Sequence, residues 1–286
     1  MSEGVKARWG DLGMRIVSGV VLAVIAIAAL WGGQMVWTLF VLAILCAGFW
    51  ELARLCEPGI TPKRRLLVGI LPVIGILPAF GLGLGVSEAE GLDLASRVWA
   101  EEKSAGLLTT VLVGGVIVSF VMLVQVVQER ALQGVLYGAV LLGAGGFLVV
   151  ARSENGVNAV LALLAIVVIS DVAGYFAGRM IGGPKFWPAV SPKKTWSGTI
   201  AGWVGAGVFG ALVLPGFGVG VQWAVPLAVV LCFAAQMGDI IESAMKRKAG
   251  IKDSSNLIPG HGGVLDRMDG MVGAAAVAAL IMLIAA

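Results

Sequence analysis

Long apolar stretches, separated by short polar links, are the feature that most restricts what this chain can fold into. Several of them reach or exceed the ~18 residues that an α-helix needs to cross a bilayer. Hydrophobic residues make up 59% of the 286 residues and charged residues 13%, whereas a soluble protein is about half apolar and a quarter charged. A soluble domain could not bury so much apolar surface. The sequence therefore predicts an all-α, polytopic integral membrane protein.

The hydropathy pattern predicts nine transmembrane helices. Basic residues precede the first helix and fill the link between the second and third, which places the N-terminus and that link in the cytoplasm. The acidic stretch 87–105 then lies outside, and the polar links 181–198 and 241–267 lie in the cytoplasm. We divide the chain into an N-terminal region of three spans (1–105), a middle pair (106–155) and a C-terminal region with polar cytoplasmic links (156–286), where we later place the catalytic residues. The predicted spans are 15–31, 34–53, 66–86, 106–126, 132–151, 157–180, 199–215, 221–240 and 268–285.

Cysteine and histidine usage excludes several kinds of site. Cys46, Cys56 and Cys232 lie in or beside apolar stretches, share no CxxC spacing and are odd in number, which argues against a disulfide framework and against a zinc site. His261 is the single histidine, so a multi-histidine metal site is excluded. The first span lacks an A-x-A-like cleavage site, and we expect it to be retained.

Small residues recur at every fourth position in two of the predicted spans. Such stripes let helices approach closely, and we assign them no catalytic role. The stripes are Gly198, Gly202, Ala206 and Gly210 in the seventh span, and Gly270, Ala274 and Ala278 in the ninth.

Polar residues concentrate in the last 120 residues, where we expect the functional site. The first polar element is Asp171 inside the sixth span. A carboxyl group at that depth costs about 3 kcal/mol unless it is paired or hydrated. The functional interpretation places Asp171 beside a polar cavity. The alternative is that Asp171 only neutralises a nearby basic group such as Arg179.

The second polar element is a turn that leads into the seventh span and is rich in hydroxyls and lysines. Backbone N–H groups at a helix start, two ammonium groups and three hydroxyls are suited to hold a phosphate chain, although the spacing is not that of a Walker A loop. The alternative is that the lysines only satisfy the positive-inside rule or contact anionic lipid. The polar members of this turn are Ser191, Lys193, Lys194, Thr195 and Ser197.

The third polar element runs from Gly238 to Asp269. If the eighth helix continues past Asp239, four polar side chains share one face at offsets 0, 3, 4 and 7. Carboxylate oxygens close to cations and hydroxyls are the surroundings that Mg²⁺ and a triphosphate require. The alternatives are that Asp269 only caps the last helix, that Glu242 only pairs with Lys246, and that the glycines around His261 only form a turn. The four residues on the shared face are Asp239, Glu242, Ser243 and Lys246, and Asp266 and Asp269 follow at the start of the last span.

The stretch from Ser243 to Asp269 resembles the signature of the CDP-diacylglycerol synthase (phosphatidate cytidylyltransferase) family. The runs around Asp171 and Ser191 are also similar to family motifs, except that Val172 stands where a hydroxyl is expected and Gly174 where alanine is expected. The matching positions are Ser243, Lys246, Arg247, Lys252, Asp253, Pro259, His261, Gly262, Gly263, Asp266, Arg267 and Asp269.

The resemblance implies a nine-span homodimeric enzyme in the bacterial inner membrane that uses CTP and Mg²⁺ on its cytoplasmic side, with K⁺ as a candidate second cation. It implies CTP, phosphatidic acid and membrane lipid as partners, and no nucleic acid. Asp239 and Asp266 are the implied metal ligands, and Asp269 is a close neighbour. The implied catalytic residues also include Lys246 and His261. The implied substrate-binding residues are Asp171, Ser191, Lys193, Lys194, Thr195, Ser197, Ser243, Arg247, Lys252, Asp253 and Arg267.

The reaction implied by the resemblance is attack by a phosphate oxygen of phosphatidic acid on the α-phosphorus of CTP. A phosphate monoester is already ionised at neutral pH, so we expect catalysis to depend on positioning and charge neutralisation rather than on a general base. His261 is expected to act as a hydrogen-bond donor and Ser243 to bind phosphate or water.

Other functional classes fit the sequence less well. The CDP-alcohol phosphotransferases carry a DGxxAR motif, whereas Asp269-Gly270 is followed here by Met-Val-Gly-Ala. A transporter is the alternative outside enzymes, because polar residues inside a membrane bundle often mark a substrate pathway. A cytidylyltransferase that acts on an archaeal-type ether lipid would share most of this site.

Overall fold

The computed structural model describes residues 3–73, 117, 121, 124, 125 and 127–285, which are mainly helical. Five helical stretches are long and apolar enough to cross a membrane, namely Gln34–Cys56, Ala131–Met180, Trp196–Phe217, Val221–Ala249 and Leu265–Ile284. This supports a polytopic helical membrane protein. The elements are α1 (Glu3–Trp31), α2 (Gln34–Cys56), α3 (62–73), α4 (Ala131–Met180), β1 (Lys185–Trp187), β2 (Ser191–Thr195), α5 (Trp196–Val213), a 3₁₀ turn (Leu214–Phe217), α6 (Val221–Ala249) and α7 (Leu265–Ala285).

The helix α4 contains a break at Gly156. At 1.5 Å per residue its 50 residues would extend about 75 Å, more than twice the ~30 Å hydrocarbon core of a bilayer. Gly156 adopts φ 75° and ψ −171°, a conformation that only glycine reaches easily. The break lies between the predicted fifth and sixth spans.

Two of the predicted spans, 66–86 and 106–126, lie largely outside the described residues, as does the acidic stretch 87–105. The number of nine helices and the cytoplasmic N-terminus therefore stay predictions.

The chain divides into two compact units, one formed by residues 42–142 and the other by the residues before and after them. In the 42–142 unit, the Arg65 guanidinium lies 3.2 Å from the centroid of the Trp50 ring. Arg64 forms an ion pair with Glu57 at 3.1 Å. Arg130 donates to the Leu55 carbonyl oxygen and so satisfies one of the free carbonyls at the end of α2. Arg64 and Arg65 belong to the basic link predicted between the second and third spans, so contacts within this unit hold part of that link in place.

In the other unit, α5 packs on α6 through the predicted stripe of small residues. A Cβ atom added at Gly210 would lie 2.3 Å from Ala228 Cβ and 2.8 Å from Ala224 O, which is too close for a side chain. The helices α6 and α7 also approach each other closely at a glycine, since a Cβ at Gly273 would lie 2.3 Å from Ala234 O. Glycine is therefore required at these crossings.

Gly210→Ala is expected to destabilise the protein by about 1–3 kcal/mol, the usual cost of overpacking, and thus to lower the midpoint of thermal unfolding in detergent. Gly207→Ala in the same helix is the matched control. A Cβ at Gly207 would lie 3.4 Å from Val225 Cγ1, an ordinary contact, and alanine favours the helix. Equal midpoints for the two variants would contradict the close approach of α5 and α6.

The predicted lysine-rich turn is wrong in one respect, because Ser191–Thr195 forms a strand. It pairs antiparallel with β1 in the register Lys185↔Thr195 and Trp187↔Ser191. Pro192 biases the residue before it to extended backbone, and threonine favours strands. The all-α prediction therefore has this two-stranded ribbon as an exception.

Candidate active site

A cavity of about 650 Å³ opens in the larger unit between α4, β2, α5 and α6. Six of the residues predicted from sequence line it, namely Asp171, Ser191, Lys193, Lys194, Thr195 and Asp239. The other lining residues are Ser170, Gly174, Tyr175, Gly178, Arg179, Gly198, Thr199 and Gln236. The cavity therefore combines cations, hydroxyls and carboxylates within a bundle of apolar helices.

Glycines bring α4 and α5 together beside this cavity. A Cβ at Gly198 would lie 2.5 Å from Gly174 O, and a Cβ at Gly178 would lie 2.9 Å from Thr195 Oγ1. Larger residues would separate the two helices and widen the cavity.

Lys194 and Asp239 form the central ion pair of the cavity. Lys194 Nζ lies 2.6 Å from Asp239 Oδ2 and donates to Gln236 O at 3.2 Å. Ser243 donates to Asp239 Oδ1 at 3.3 Å, as expected for residues one turn apart. The Asp239 side chain remains 36% exposed, so its oxygens are accessible to a ligand.

Thr195 is the N-cap of α5. Its Oγ1 accepts a hydrogen bond from Gly198 N at 3.3 Å, which satisfies one of the free N–H groups at the helix start. Ser197 donates its hydroxyl to Gly182 O. Both hydroxyls thus organise the helix start, and their binding of substrate stays a prediction.

A second polar cluster joins α6 to α7. Lys246 Nζ lies 2.8 Å from Glu242 Oε2 and 2.7 Å from Asp266 Oδ1. The Glu242 side chain is fully buried, and that of Asp266 is 4% exposed. The predicted pairing of Glu242 with Lys246 is therefore confirmed, but Lys246 also binds Asp266, so the two residues do not form an isolated pair.

Asp266 organises the link between α6 and α7. Its Oδ2 accepts hydrogen bonds from Ser254 N and Ser254 Oγ, both at 2.9 Å, and from Gly263 N at 2.7 Å. Gly262 adopts φ +86°, and a Cβ there would lie 2.8 Å from Asp266 Oδ2. The glycines after His261 therefore do more than form a turn, because they allow the backbone to bind this carboxylate.

Asp269 is not the N-cap of the last helix, so that alternative is wrong. The helix α7 begins at Leu265, and Asp269 lies inside it. Its Oδ1 accepts a hydrogen bond from Gly270 N at 2.8 Å. Its carboxylate also interacts electrostatically with Asp239 and Asp171 of the cavity and with Lys246 of the second cluster.

The remaining residues predicted from sequence do not line the cavity. Arg247 donates to Val190 O, and Arg267 donates to His261 O at 3.0 Å. Lys252 and Asp253 are exposed in the link after α6. By contrast, Arg179, the basic group considered as a partner of Asp171, does line the cavity. It donates to the Tyr175 hydroxyl at 2.8 Å, and within the described part of the chain it forms no ion pair with Asp171.

Sequence reasoning missed Gln236, which connects the walls of the cavity. Its side-chain amide donates to Ser170 Oγ at 3.2 Å, and its Oε1 accepts from Trp203 Nε1 at 3.0 Å. Gln236 is buried and lies one turn before Asp239. A polar amide at that spacing inside an apolar span is the signal that could have identified it.

Among the described residues, no three histidine, cysteine or acidic side chains are arranged to hold a metal ion by themselves. This is compatible with Mg²⁺, which commonly takes one or two protein carboxylates and completes its shell with phosphate and water.

Comparisons with known proteins agree with these features. The model of the cytidylyltransferase family matches residues 13–285. A Brucella suis protein named phosphatidate cytidylyltransferase is 37% identical over 274 residues, which cover 93% of this chain and 91% of the relative. A Mycobacterium bovis protein of the same name is 33% identical over 279 residues, covering 96% and 88%. One from Helicobacter pylori is 43% identical over 120 residues, covering 42% and 45%. The chain belongs to the cytidylyltransferase family.

Proposed function

We propose that this protein is a phosphatidate cytidylyltransferase, which converts CTP and phosphatidic acid to CDP-diacylglycerol and pyrophosphate. The observation that carries the proposal is the cavity lined by Lys193, Lys194, Asp171 and Asp239 inside a bundle of apolar helices. A water-soluble polyanion and a lipid phosphate must meet at such a boundary. The names of the relatives support the choice of substrates.

In the proposed reaction a phosphate oxygen of phosphatidic acid forms a bond to the α-phosphorus of CTP. The bond from that phosphorus to the bridging oxygen breaks, and pyrophosphate leaves with the electron pair. Lys193 and Lys194 would reduce the repulsion between the two anions and stabilise charge on the leaving group. A general base is unnecessary, because the attacking phosphate is already ionised at neutral pH.

We extend the proposal to Mg²⁺, with Asp239 and Asp266 as its protein ligands. Asp239 Oδ2 and Asp266 Oδ1 each lie within 2.7 Å of a lysine ammonium, so Mg²⁺ would have to displace these ammonium groups or share the oxygens with them. Among the described residues, the buried Glu242 Oε1 has no hydrogen-bond partner, so one carboxyl oxygen beside Asp266 is unsatisfied. Bound Mg²⁺ would neutralise phosphate charge and act as a Lewis acid. A second cation such as K⁺ remains part of the proposal.

The proposed setting is the bacterial inner membrane, with nine helices, the N-terminus and the active site on the cytoplasmic side, and two copies forming a homodimer. The apolar helices support the membrane location, and the bacterial relatives support the inner membrane. CTP is a cytoplasmic substrate, which supports the orientation.

Purified protein in detergent is expected to convert radiolabelled CTP and phosphatidic acid to CDP-diacylglycerol, and chelation by EDTA is expected to abolish the conversion. Activity should return when excess Mg²⁺ is added, because the proposed carboxylates require the ion to hold the triphosphate. Activity that survives EDTA would contradict the metal proposal. Folded protein that is inactive on phosphatidic acid but active on an ether-lipid phosphate would correct the substrate. Transport of a solute without CTP turnover would refute the enzyme.

A further inference from the structure

A contact between two residues that are 243 positions apart in the sequence links the first helix to the C-terminal site. Ser18 Oγ on α1 lies 2.7 Å from His261 Nδ1. The His261 ring also packs against α1, because a Cβ at Gly19 would lie 3.4 Å from its Cε1. The N-terminal helix therefore contacts the loop that carries the His-Gly-Gly motif.

Two acceptors, Met14 O and His261 Nδ1, lie within hydrogen-bond distance of the Ser18 hydroxyl. Ser18 Oγ donates to Met14 O at 2.9 Å, the usual bond from a helical serine to the carbonyl four residues earlier. A serine hydroxyl has one hydrogen and two lone pairs. If the hydroxyl hydrogen points to Met14 O, the oxygen accepts a hydrogen bond from His261 and Nδ1 carries a proton.

The backbone of His261 continues this connection to the site. His261 O accepts a hydrogen bond from Arg267 Nε at 3.0 Å, and His261 N donates to Ile258 O at 3.0 Å. Two residues later, Gly263 N donates to Asp266 at 2.7 Å. An anchor on the His261 ring thus restrains both Arg267 and the backbone that binds Asp266.

We propose that Ser18 is a positioning residue of the active site, which holds His261 as its Nδ1–H tautomer and anchors the His-Gly-Gly loop to α1. The neutral ring then has Nε2 as an acceptor, which differs from the donor role expected from sequence. It would accept from a substrate hydroxyl or amine rather than donate to a phosphate oxygen. The role in catalysis rests on the proposed function, whereas the tautomer does not.

The first test is ¹⁵N NMR of ring-labelled histidine in micelles at alkaline pH, where free imidazole is neutral. His261 is the single histidine, so each ring nitrogen gives one assigned signal. We expect a protonated Nδ1 in the wild type and a shift toward the Nε2–H tautomer in Ser18→Ala. A wild type with unprotonated Nδ1, or a tautomer that Ser18→Ala leaves unchanged, would overturn the proposal.

The second test measures turnover. Ser18→Ala is expected to lower kcat by about tenfold, and Ser18→Thr, which keeps the hydroxyl, should restore most of it. In a His261→Ala background, Ser18→Ala should have no further effect, because the two residues act together. Ser153→Ala is the matched control, since the exposed Ser153 also donates to a carbonyl of its own helix, that of Val150 three residues earlier. Additive losses from Ser18→Ala and His261→Ala would overturn the coupling, and inactive wild-type protein would refute the proposed function but leave the NMR result intact.

Discussion

Asp239→Asn is expected to lower kcat for CDP-diacylglycerol formation by about 10²–10³-fold, the usual effect of removing one electrostatic contributor to a transition state. Asp239 pairs with Lys194 at 2.6 Å and faces the cavity. The neutral amide would lose the pair that orients this lysine and would bind a cation poorly. The measurement is the initial rate with saturating CTP and phosphatidic acid at several Mg²⁺ concentrations.

The fold should tolerate this substitution, because the Asp239 side chain is 36% exposed and asparagine has nearly the same shape. Glu154→Gln is the matched control, since Glu154 is exposed in α4 and does not line the cavity. An Asp239→Asn variant with wild-type kcat and an unchanged Mg²⁺ requirement would show that Asp239 neither binds the ion nor orients Lys194 in the reaction.

Lys246→Met is expected to lower the free energy of unfolding by about 3 kcal/mol or more, because removing one partner of a buried ion pair leaves uncompensated charge. Its ammonium lies between Glu242 and Asp266, which are fully buried and 4% exposed. Methionine fills a similar volume but neutralises neither carboxylate. The measurement is unfolding in mixed micelles by titration with SDS.

A second substitution separates lost charge from lost packing. Glu242→Leu combined with Lys246→Met should recover much of the stability, because Asp266 keeps its three bonds from Ser254 and Gly263 while the buried Glu242 carboxylate is gone. Lys248→Met on the exposed part of α6 is the control, and its effect should stay within ~1 kcal/mol. If Lys246→Met costs no more than this control, the cluster is hydrated rather than buried.

Local periodicity explains which parts of the site could be predicted from sequence. Asp239 with Ser243 and Glu242 with Lys246 are one turn apart, so a continuous helix was enough to place each pair. Sequence did not reveal that the two pairs face different partners, Lys194 on β2 for the first and Asp266 on α7 for the second. That separation depends on how α6 is rotated between its neighbours, which tertiary packing determines.

Contacts between distant segments were harder to predict. Ser18 is an isolated hydroxyl in an apolar span, where serine commonly bonds its own helix, so no local pattern indicated His261 as its partner. The β-ribbon was missed because its short strands have no alternating apolar face, and hydroxyls and lysines equally suit a turn. The apolar spans around α2, α5, α6 and α7 were predictable because hydropathy alone identifies them.

The direct junction of β2 and α5 at Thr195 has a mechanical consequence. The strand carries Lys193 and Lys194, and no flexible linker separates it from a helix whose Ile200, Val204, Val208 and Leu212 are exposed at a spacing of four residues. A displacement of α5 would therefore carry both ammonium groups with it and change their distance from Asp239 on α6. The position of α5 in the membrane and the position of these two charges are therefore set together.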